Sequence, residues 1–199
     1  MKAYREWLPA NGYEATGSLG GSYYSDDITD YYLTPHDLGY WPFVKFDHDF
    51  VGREALEAMA DRPRWKKVTL AWNGEDVARS IGTLFEKGDA VKYIDFPLSN
   101  YATWPYDKVL LDGSMVGVST FSGYSYNERS YLSLAMVDTD VELGSEVTLV
   151  WGEEGGGSTK PVVERHVQAD IRAIVSPAPY SEVARTSYAE GWRTKATVA

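Results

Sequence analysis

The chain has 199 residues, of which 44% are hydrophobic and 14% aromatic, so it can bury a substantial core. Nineteen basic and twenty-nine acidic side chains leave a formal charge of −10, which argues against nucleic acid or an anionic membrane as a partner. The absence of cysteine excludes disulfides, thiolate metal ligands and a cysteine nucleophile. The sequence has no apolar run long enough to span a bilayer and its start lacks a signal-peptide core, so we predict a cytoplasmic protein.

Residues 1–63 contain few periodic elements. Residues 1–35 are rich in glycine, aspartate and tyrosine and show no helical or strand period, whereas residues 43–46 are typical of an extended segment. Apolar residues at helical spacing predict a short amphipathic helix at about 52–61. We expect Leu56 and Met59 to pack on the following domain, and truncation of a fully buried Leu56 to alanine would cost about 2 to 5 kcal/mol.

From about residue 64 the pattern changes to that of an antiparallel β unit. Alternating apolar residues and glycine turns predict strands at 65–72, 113–120, 129–138, 145–151 and 167–175. Residues 75–89 have room for one helix, the glycine-rich run GEEGGGSTK predicts a mobile loop, and residues 179–194 predict a terminal helix. The arrangement favours a barrel or sandwich over about 64–176.

Two separated segments carry family-like motifs. Residues 34–56 read TPHDLGYWPFVKFDHDFVGREAL, and residues 113–138 read GSMVGVSTFSGYSYNERSYLSLAMVD. In that order they resemble the P-x-E-x-G-L, D-F-I-G-x-E-A-L and V-G-x-x-T-S-G motifs of the glycine-cleavage T-protein family of aminomethyltransferases. The opening YREWLP and the tail from Lys160 are similar to the branch of aryl-methyl-ether O-demethylases that act on vanillate- and syringate-type acids.

The resemblance implies an α+β protein with a C-terminal Greek-key or jelly-roll-like antiparallel barrel. Residues 1–63 would be a remnant of the folate-binding domain, and residues 64–199 the barrel with its tail. The implied function is the C-terminal portion of a tetrahydrofolate-dependent methyl- or aminomethyltransferase that demethylates methoxy-aromatic acids. Family members are more than twice as long, so the chain alone is expected to be inactive and to need a separate N-terminal folate-binding half. The alternative is a non-catalytic folate-binding or structural docking module of a split complex.

Four residues are candidates for the site. A phenolate leaving group needs a proton, and a tyrosine hydroxyl can donate one. The resemblance points to the Y-Y-L-T-P region and to Tyr32 in preference to Tyr31, although both also fit ordinary half-buried aromatics. Asp37 stands at the acidic position of E-x-G-L, where the resemblance implies a contact with the pterin; capping of a local turn is the alternative. Trp41 has an aromatic face that can stack on the pterin or equally pack in the core.

The remaining polar residues show no catalytic pattern. The histidines are far apart without metal-ligand spacing, so we predict scattered surface histidines and no metal site. The acidic pairs Asp26–Asp27 and Glu153–Glu154 lie in glycine-rich loops, where solvated charges are usual. The aromatic and basic residues of SGYSYNERSY favour a structural or interdomain role, with Arg129 as a possible carboxylate ligand.

Overall fold

The computed structural model describes Ala3, Trp7 and residues 19–60, 64–96, 104–157 and 163–188. Its strands are β1 (Leu19–Gly20), β2 (Trp65–Trp72), β3 (Trp104–Pro105), β4 (Asp107–Leu111), β5 (Ser114–Ser125), β6 (Ser130–Asp138), β7 (Glu146–Trp151) and β8 (Ala169–Ser176). Its α-helices are α1 (Arg53–Met59), α2 (Gly74–Gly82) and α3 (Glu182–Arg185), and single 3₁₀ turns cover Ile28–Tyr31, Trp41–Phe43 and Thr83–Phe85. None of the helices within these described ranges is long and apolar enough to cross a membrane.

Six strands close a barrel in the order β2-β6-β5-β4-β7-β8, and every neighbouring pair is antiparallel. Alternate residues point inward because side chains alternate between the two faces of a strand. Leu70, Val109, Leu149 and Ile171 are completely buried inside. The predicted mainly β fold with a C-terminal antiparallel barrel is confirmed, and all five predicted strands are present.

A second apolar cluster lies on the other face of the strands. Trp65 of β2, Val118 of β5 and Met136 of β6 pack there with Tyr106 and with Tyr31 of the N-terminal segment. Met136 follows the inward-facing Ala135, so alternation places its side chain on the outer surface. The N-terminal segment therefore covers part of the barrel wall and does not build a core of its own.

Helix α1 forms where it was predicted, but its packing prediction is wrong. None of its residues is buried, Met59 is 38% exposed and Leu56 is only half-buried. Arg53 pairs with Glu57 and Asp49, at spacings of four residues, so the polar contacts of this two-turn helix are local. The cost of about 2 to 5 kcal/mol expected for a fully buried leucine does not apply to Leu56.

Two other local predictions differ from the structure. In the segment 43–46, which was predicted to be extended, Val44 is extended but Phe43 ends a 3₁₀ turn that begins at Trp41, with Pro42 at an early helical position that suits its fixed φ. The predicted helix at 75–89 is realised as α2 followed by the turn Thr83–Phe85. Of the predicted terminal helix, only α3 forms within the described residues, and positions 189–194 lie outside them.

Candidate functional site

Tyr31 is a buried anchor of the N-terminal segment. Its ring makes edge-on contacts with Tyr23 and Tyr106, each at a centroid distance of 5.2 Å. The backbone N–H of Ser25 donates to the Tyr31 hydroxyl at 3.0 Å, and Tyr106 donates its hydroxyl to the Tyr31 carbonyl at 3.1 Å. Burial raises the pKa of Tyr31, so its proton is held more tightly than that of a free phenol. These contacts give Tyr31 a structural role in the described part of the chain.

Tyr32, the next residue, is exposed where Tyr31 is buried. It follows the last residue of the 3₁₀ turn, and its side chain is 47% exposed. Its own backbone N–H donates to the Thr29 carbonyl at 3.0 Å, which fixes the main chain at this point. Tyr32 therefore presents an accessible phenol from a fixed backbone.

Asp37 is buried, and both of its carboxylate oxygens accept hydrogen bonds from the protein. Oδ2 accepts from the backbone N–H and the hydroxyl of Thr34, at 2.9 and 2.8 Å. Oδ1 accepts from the backbone N–H of Trp65 at 3.2 Å. Asp37 thus closes the turn after Pro35 and fixes that turn to the first residue of β2. Contact of Asp37 with a pterin, which the resemblance implies, stays a prediction, and this geometry supplies a structural explanation for the aspartate.

Trp41 lies in an open groove of 760 Å³ between the N-terminal segment and the barrel wall. Its ring is 4.8 Å from the His36 ring at a tilt of 32°, and Phe46 meets it edge-on at 5.9 Å. The groove volume is within the range of about 300 to 1,000 Å³ that is usual for small-molecule sites. Its other lining residues are mainly apolar with two lysines: Gly39, Tyr40, Pro42, Phe43, Trp65, Lys66, Lys67, Leu134, Thr139, Ala178 and Pro179.

Three of the four candidates converge on Trp65 at the start of β2. Tyr31 packs in the same apolar cluster as Trp65, Asp37 accepts from its backbone N–H, and Trp41 lines the same groove. Trp65 itself donates its indole N–H to Asp138 at 3.1 Å. The start of β2 is therefore a shared contact for Tyr31, Asp37 and Trp41, although the exposed Tyr32 is not part of this group.

Two residues that the sequence placed at the surface are buried together. Glu153 and His166 are both less than 10% exposed, and Glu153 pairs with the buried Lys92 at 3.1 Å. The expectations of a solvated Glu153 and a surface His166 are wrong, because the loop from Gly152 to Gly157 wraps closely around the imidazole. A Cβ on Gly157 would lie 2.9 Å from that ring. Only the glycine content of the loop signalled such a close approach.

Elsewhere in the described residues, acidic side chains are either exposed to solvent or buried in an ion pair. Asp26 and Asp27 are exposed, as expected for solvated charges. Asp76 on α2 is buried and accepts from Arg172 of β8, and these hydrogen bonds lower the pKa of Asp76 to about 2. Within the ranges that the structure describes, no group of three or more histidine or acidic side chains is placed to hold a metal ion.

Comparison with known proteins found two informative relatives, whereas no family model matches the sequence. The chain is 52% identical over 193 residues to syringate O-demethylase of Sphingobium sp. (strain NBRC 103272 / SYK-6), which covers 96% of this chain and 42% of that protein. It is 31% identical over 182 residues to sesamin methylene transferase of Sinomonas sp. (strain No.22), which covers 86% of this chain and 37% of that protein. The chain spans less than half the length of these curated relatives.

Proposed function

The chain is a relative of these O-demethylase and methylene-transferase proteins, and we propose that it is the C-terminal portion of a tetrahydrofolate-dependent methyltransferase. The proposed donor is a methoxy-aromatic acid of the syringate or vanillate type. The observation that carries this proposal is the high identity to syringate O-demethylase along almost the entire chain. The alignment covers 96% of this chain.

The Trp41 groove is the proposed binding surface for a flat ring. An indole face beside His36, with apolar walls formed by Phe43 and Leu134, suits the pterin or benzoyl part of tetrahydrofolate. The groove is open on one side, so this chain supplies one wall of a pocket. When bound, tetrahydrofolate supplies the nitrogen that accepts the methyl group and gives up its own proton.

Tyr32 is the proposed proton donor. In the overall reaction the bond between the methyl carbon and the aryl oxygen breaks, a bond between that carbon and N5 of tetrahydrofolate forms, and the aryl oxygen gains a proton. A phenol that is fixed at its backbone and belongs to a 47% exposed residue can protonate that oxygen as it leaves. Tyr31 is less suited, because its hydroxyl is buried and accepts a backbone hydrogen bond.

A second polypeptide that contains the remaining, N-terminal half is the proposed partner. A pocket that positions two reacting groups has to enclose most of both. The described residues offer an open groove and the exposed Tyr32, so the isolated chain is expected to bind folate weakly and to transfer no methyl group. The competing proposal is a non-catalytic docking module, and the exposed aromatic side chains of Phe96, Phe121 and Tyr126 favour it.

Reconstitution tests the proposal. The 199-residue chain is assayed for syringate and vanillate demethylation with tetrahydrofolate, alone and after co-expression with the part of the Sphingobium relative that it does not cover. We expect no turnover alone and demethylation by the complex. A stable complex that binds tetrahydrofolate without turnover would support the docking module, and demethylation by the chain alone would contradict the proposed division into halves.

A further inference from the structure

A cluster of four ionisable side chains is buried beside β4, away from the Trp41 groove. Lys92, Asp107, Glu153 and His166 are each at most 7% exposed. The Lys92 ammonium lies 3.2 and 3.1 Å from the two carboxylate oxygens of Glu153. Burial by itself opposes ionisation of Glu153, yet Lys92 and the backbone N–H of Gly21 hold the pKa of Glu153 below its usual value. This pair is therefore ionic and neutral overall.

Both carboxylates of the cluster hold the N-terminal segment. The backbone N–H of Gly21 donates to Glu153 Oε1 at 3.0 Å, and that of Ser22 donates to Asp107 Oδ1 at 3.1 Å. In return, Ser22 accepts at its hydroxyl from the backbone N–H of Lys108 at 2.8 Å. Buried backbone donors need partners, and here the partners are side chains more than 80 residues away. The segment is thus attached to the barrel through two buried acids.

The main chain is tightly packed where the segment is attached to the barrel. Gly21 has a φ of +94°, and a Cβ there would lie 2.4 Å from the carbonyl oxygen of Tyr106. Backbone hydrogen bonds flank it, from Tyr106 to Gly20 at 2.7 Å and from Tyr23 to Tyr106 at 2.8 Å. The two acids of the cluster therefore contact tightly packed main chain at Gly21 and Ser22, which precede Tyr32 by eleven and ten residues.

His166 is fixed on both ring nitrogens. Nδ1 lies 2.8 Å from the Glu164 carbonyl and so carries a proton, while Nε2 accepts from the backbone N–H of Glu153 at 3.0 Å. Glu153 Oε2 lies 3.3 Å from the same Nε2 and 3.1 Å from the Lys92 ammonium.

Asp107 is the fourth member of the cluster, and its ionised form leaves the cluster with one unbalanced negative charge. With Lys92 and Glu153 paired, ionised Asp107 adds a negative charge at a position that is only 1% exposed. Burial accordingly raises the pKa of Asp107 to about 6, which attraction to Lys92 and hydrogen bonds from Ser22 and Gly152 offset only in part. Exposure of this carboxyl to water would return it to its ordinary pKa.

We propose that Asp107 and Glu153 are positioning residues that form a pH-responsive latch between the barrel and the segment from Leu19 to Asp37. In the closed latch Asp107 is buried. In the open latch the backbone N–H groups of Gly21 and Ser22 no longer donate to the two acids, and Asp107 is exposed to solvent. The closed form binds a proton at Asp107 more tightly than the open form. Acidification through pH 6 therefore favours closure, and a rise in pH favours opening.

Hydrogen exchange on the 199-residue chain measures this latch directly. Amide exchange of peptides within residues 19–37 is followed by mass spectrometry from pH 5 to pH 8 and divided by the intrinsic rate at each pH. Taking the ordinary pKa in the open form and about 6 in the closed form, the opening equilibrium constant should rise about tenfold over this range. Peptides from β8 serve as an internal reference for the barrel and should show no such rise.

Three variants distinguish opening of the latch from a general loss of stability. Asp107→Asn mimics the protonated acid and should keep the segment closed with a flat pH profile, whereas Asp140→Asn, at an exposed position, should keep the tenfold rise. Glu153→Gln removes the charge that raises the pKa of Asp107 and leaves the Lys92 ammonium to attract ionised Asp107, so the rise in opening with pH should become smaller than in the unmodified chain. A flat profile in the unmodified chain, or an undiminished rise in Asp107→Asn, would overturn the proposal. The effect of the latch on Tyr32 rests on the proposed function, but exchange reports opening whether or not the chain supports methyl transfer.

Discussion

Substitution of Asp76 by asparagine should destabilise the protein by about 1 to 2 kcal/mol at pH 7. The Asp76 carboxylate is buried at the start of α2 and accepts from Arg172 at the backbone N–H (3.0 Å), Nε (2.8 Å) and Nη2 (2.9 Å). Arg79 also contacts it. Asparagine keeps one acceptor oxygen but turns an amide donor towards the guanidinium, so two charge-assisted hydrogen bonds are lost.

The magnitude follows from the pKa. Lowering the pKa of Asp76 from 3.8 to about 2 corresponds to about 2.4 kcal/mol of preference for the ionised form in the folded state. The Arg172 side chain is 46% exposed, so solvent and salt screen part of this attraction, and we reduce the expected loss to about 1 to 2 kcal/mol. The contribution is present above the ordinary pKa and is lost as the pH falls from about 4 towards 2.

Urea denaturation followed by tryptophan fluorescence at pH 7 and at pH 3 is the assay. The Asp76→Asn deficit should be present at pH 7 and shrink at pH 3, because the unmodified protein is then losing the same contribution. Glu75→Gln is the matched control, since Glu75 is 90% exposed and 3.9 Å from Arg172, and it should change stability by less than about 0.5 kcal/mol. Equal stability of Asp76→Asn and the unmodified chain at pH 7 would refute the reasoning.

Three further predictions concern the N-terminal segment. In the reconstituted complex, Trp41→Ala should weaken tetrahydrofolate binding, measured by calorimetry, more than it lowers turnover. Tyr32→Phe should do the reverse, because it removes a proton donor and little contact area; an equal loss in both measurements would argue against the acid role. Gly21→Ala should lower the melting temperature, because its Cβ would overlap the Tyr106 carbonyl and its φ is positive, whereas Gly74→Ala, which has open space around it, should have little effect.

The barrel was predictable because its strands have the period of two that a half-buried strand requires. The predicted resemblance to the O-demethylase branch is likewise confirmed by the two relatives. Strand β4 was missed, since DKVLL has five residues and too few alternations to show a period. The turn after it was visible in the sequence: Asp112 and Gly113 both have positive φ, the conformation that an Asp-Gly hairpin turn favours.

The buried ionic cluster was not predictable from local sequence. Glu153 lies in a run of glycines, and 61 residues separate it from Lys92. No spacing rule relates such positions, because closure of the barrel alone brings them together. The positive φ values at Gly155, Gly156 and Gly157 give the loop a course that an L-residue would rarely allow, and this course folds it over His166. A glycine run was therefore a sign of close packing here and not only of mobility.

Tyr31 and Tyr32 are adjacent, and the buried packing of Tyr31 supports the exposed position of Tyr32. Tyr31 ends a 3₁₀ turn whose first residues are capped by Asp27, and its ring packs between Tyr23 and Tyr106. The next residue in an extended conformation points away from that packing, so burial of Tyr31 is what turns Tyr32 outward. The motif therefore needs both tyrosines. The Tyr31 ring anchors the segment, and the exposed Tyr32 ring is the one available for chemistry. The same segment is attached through Gly21 and Ser22 to Glu153 and Asp107, so the packing of Tyr31 and the two buried acids hold one continuous stretch of main chain.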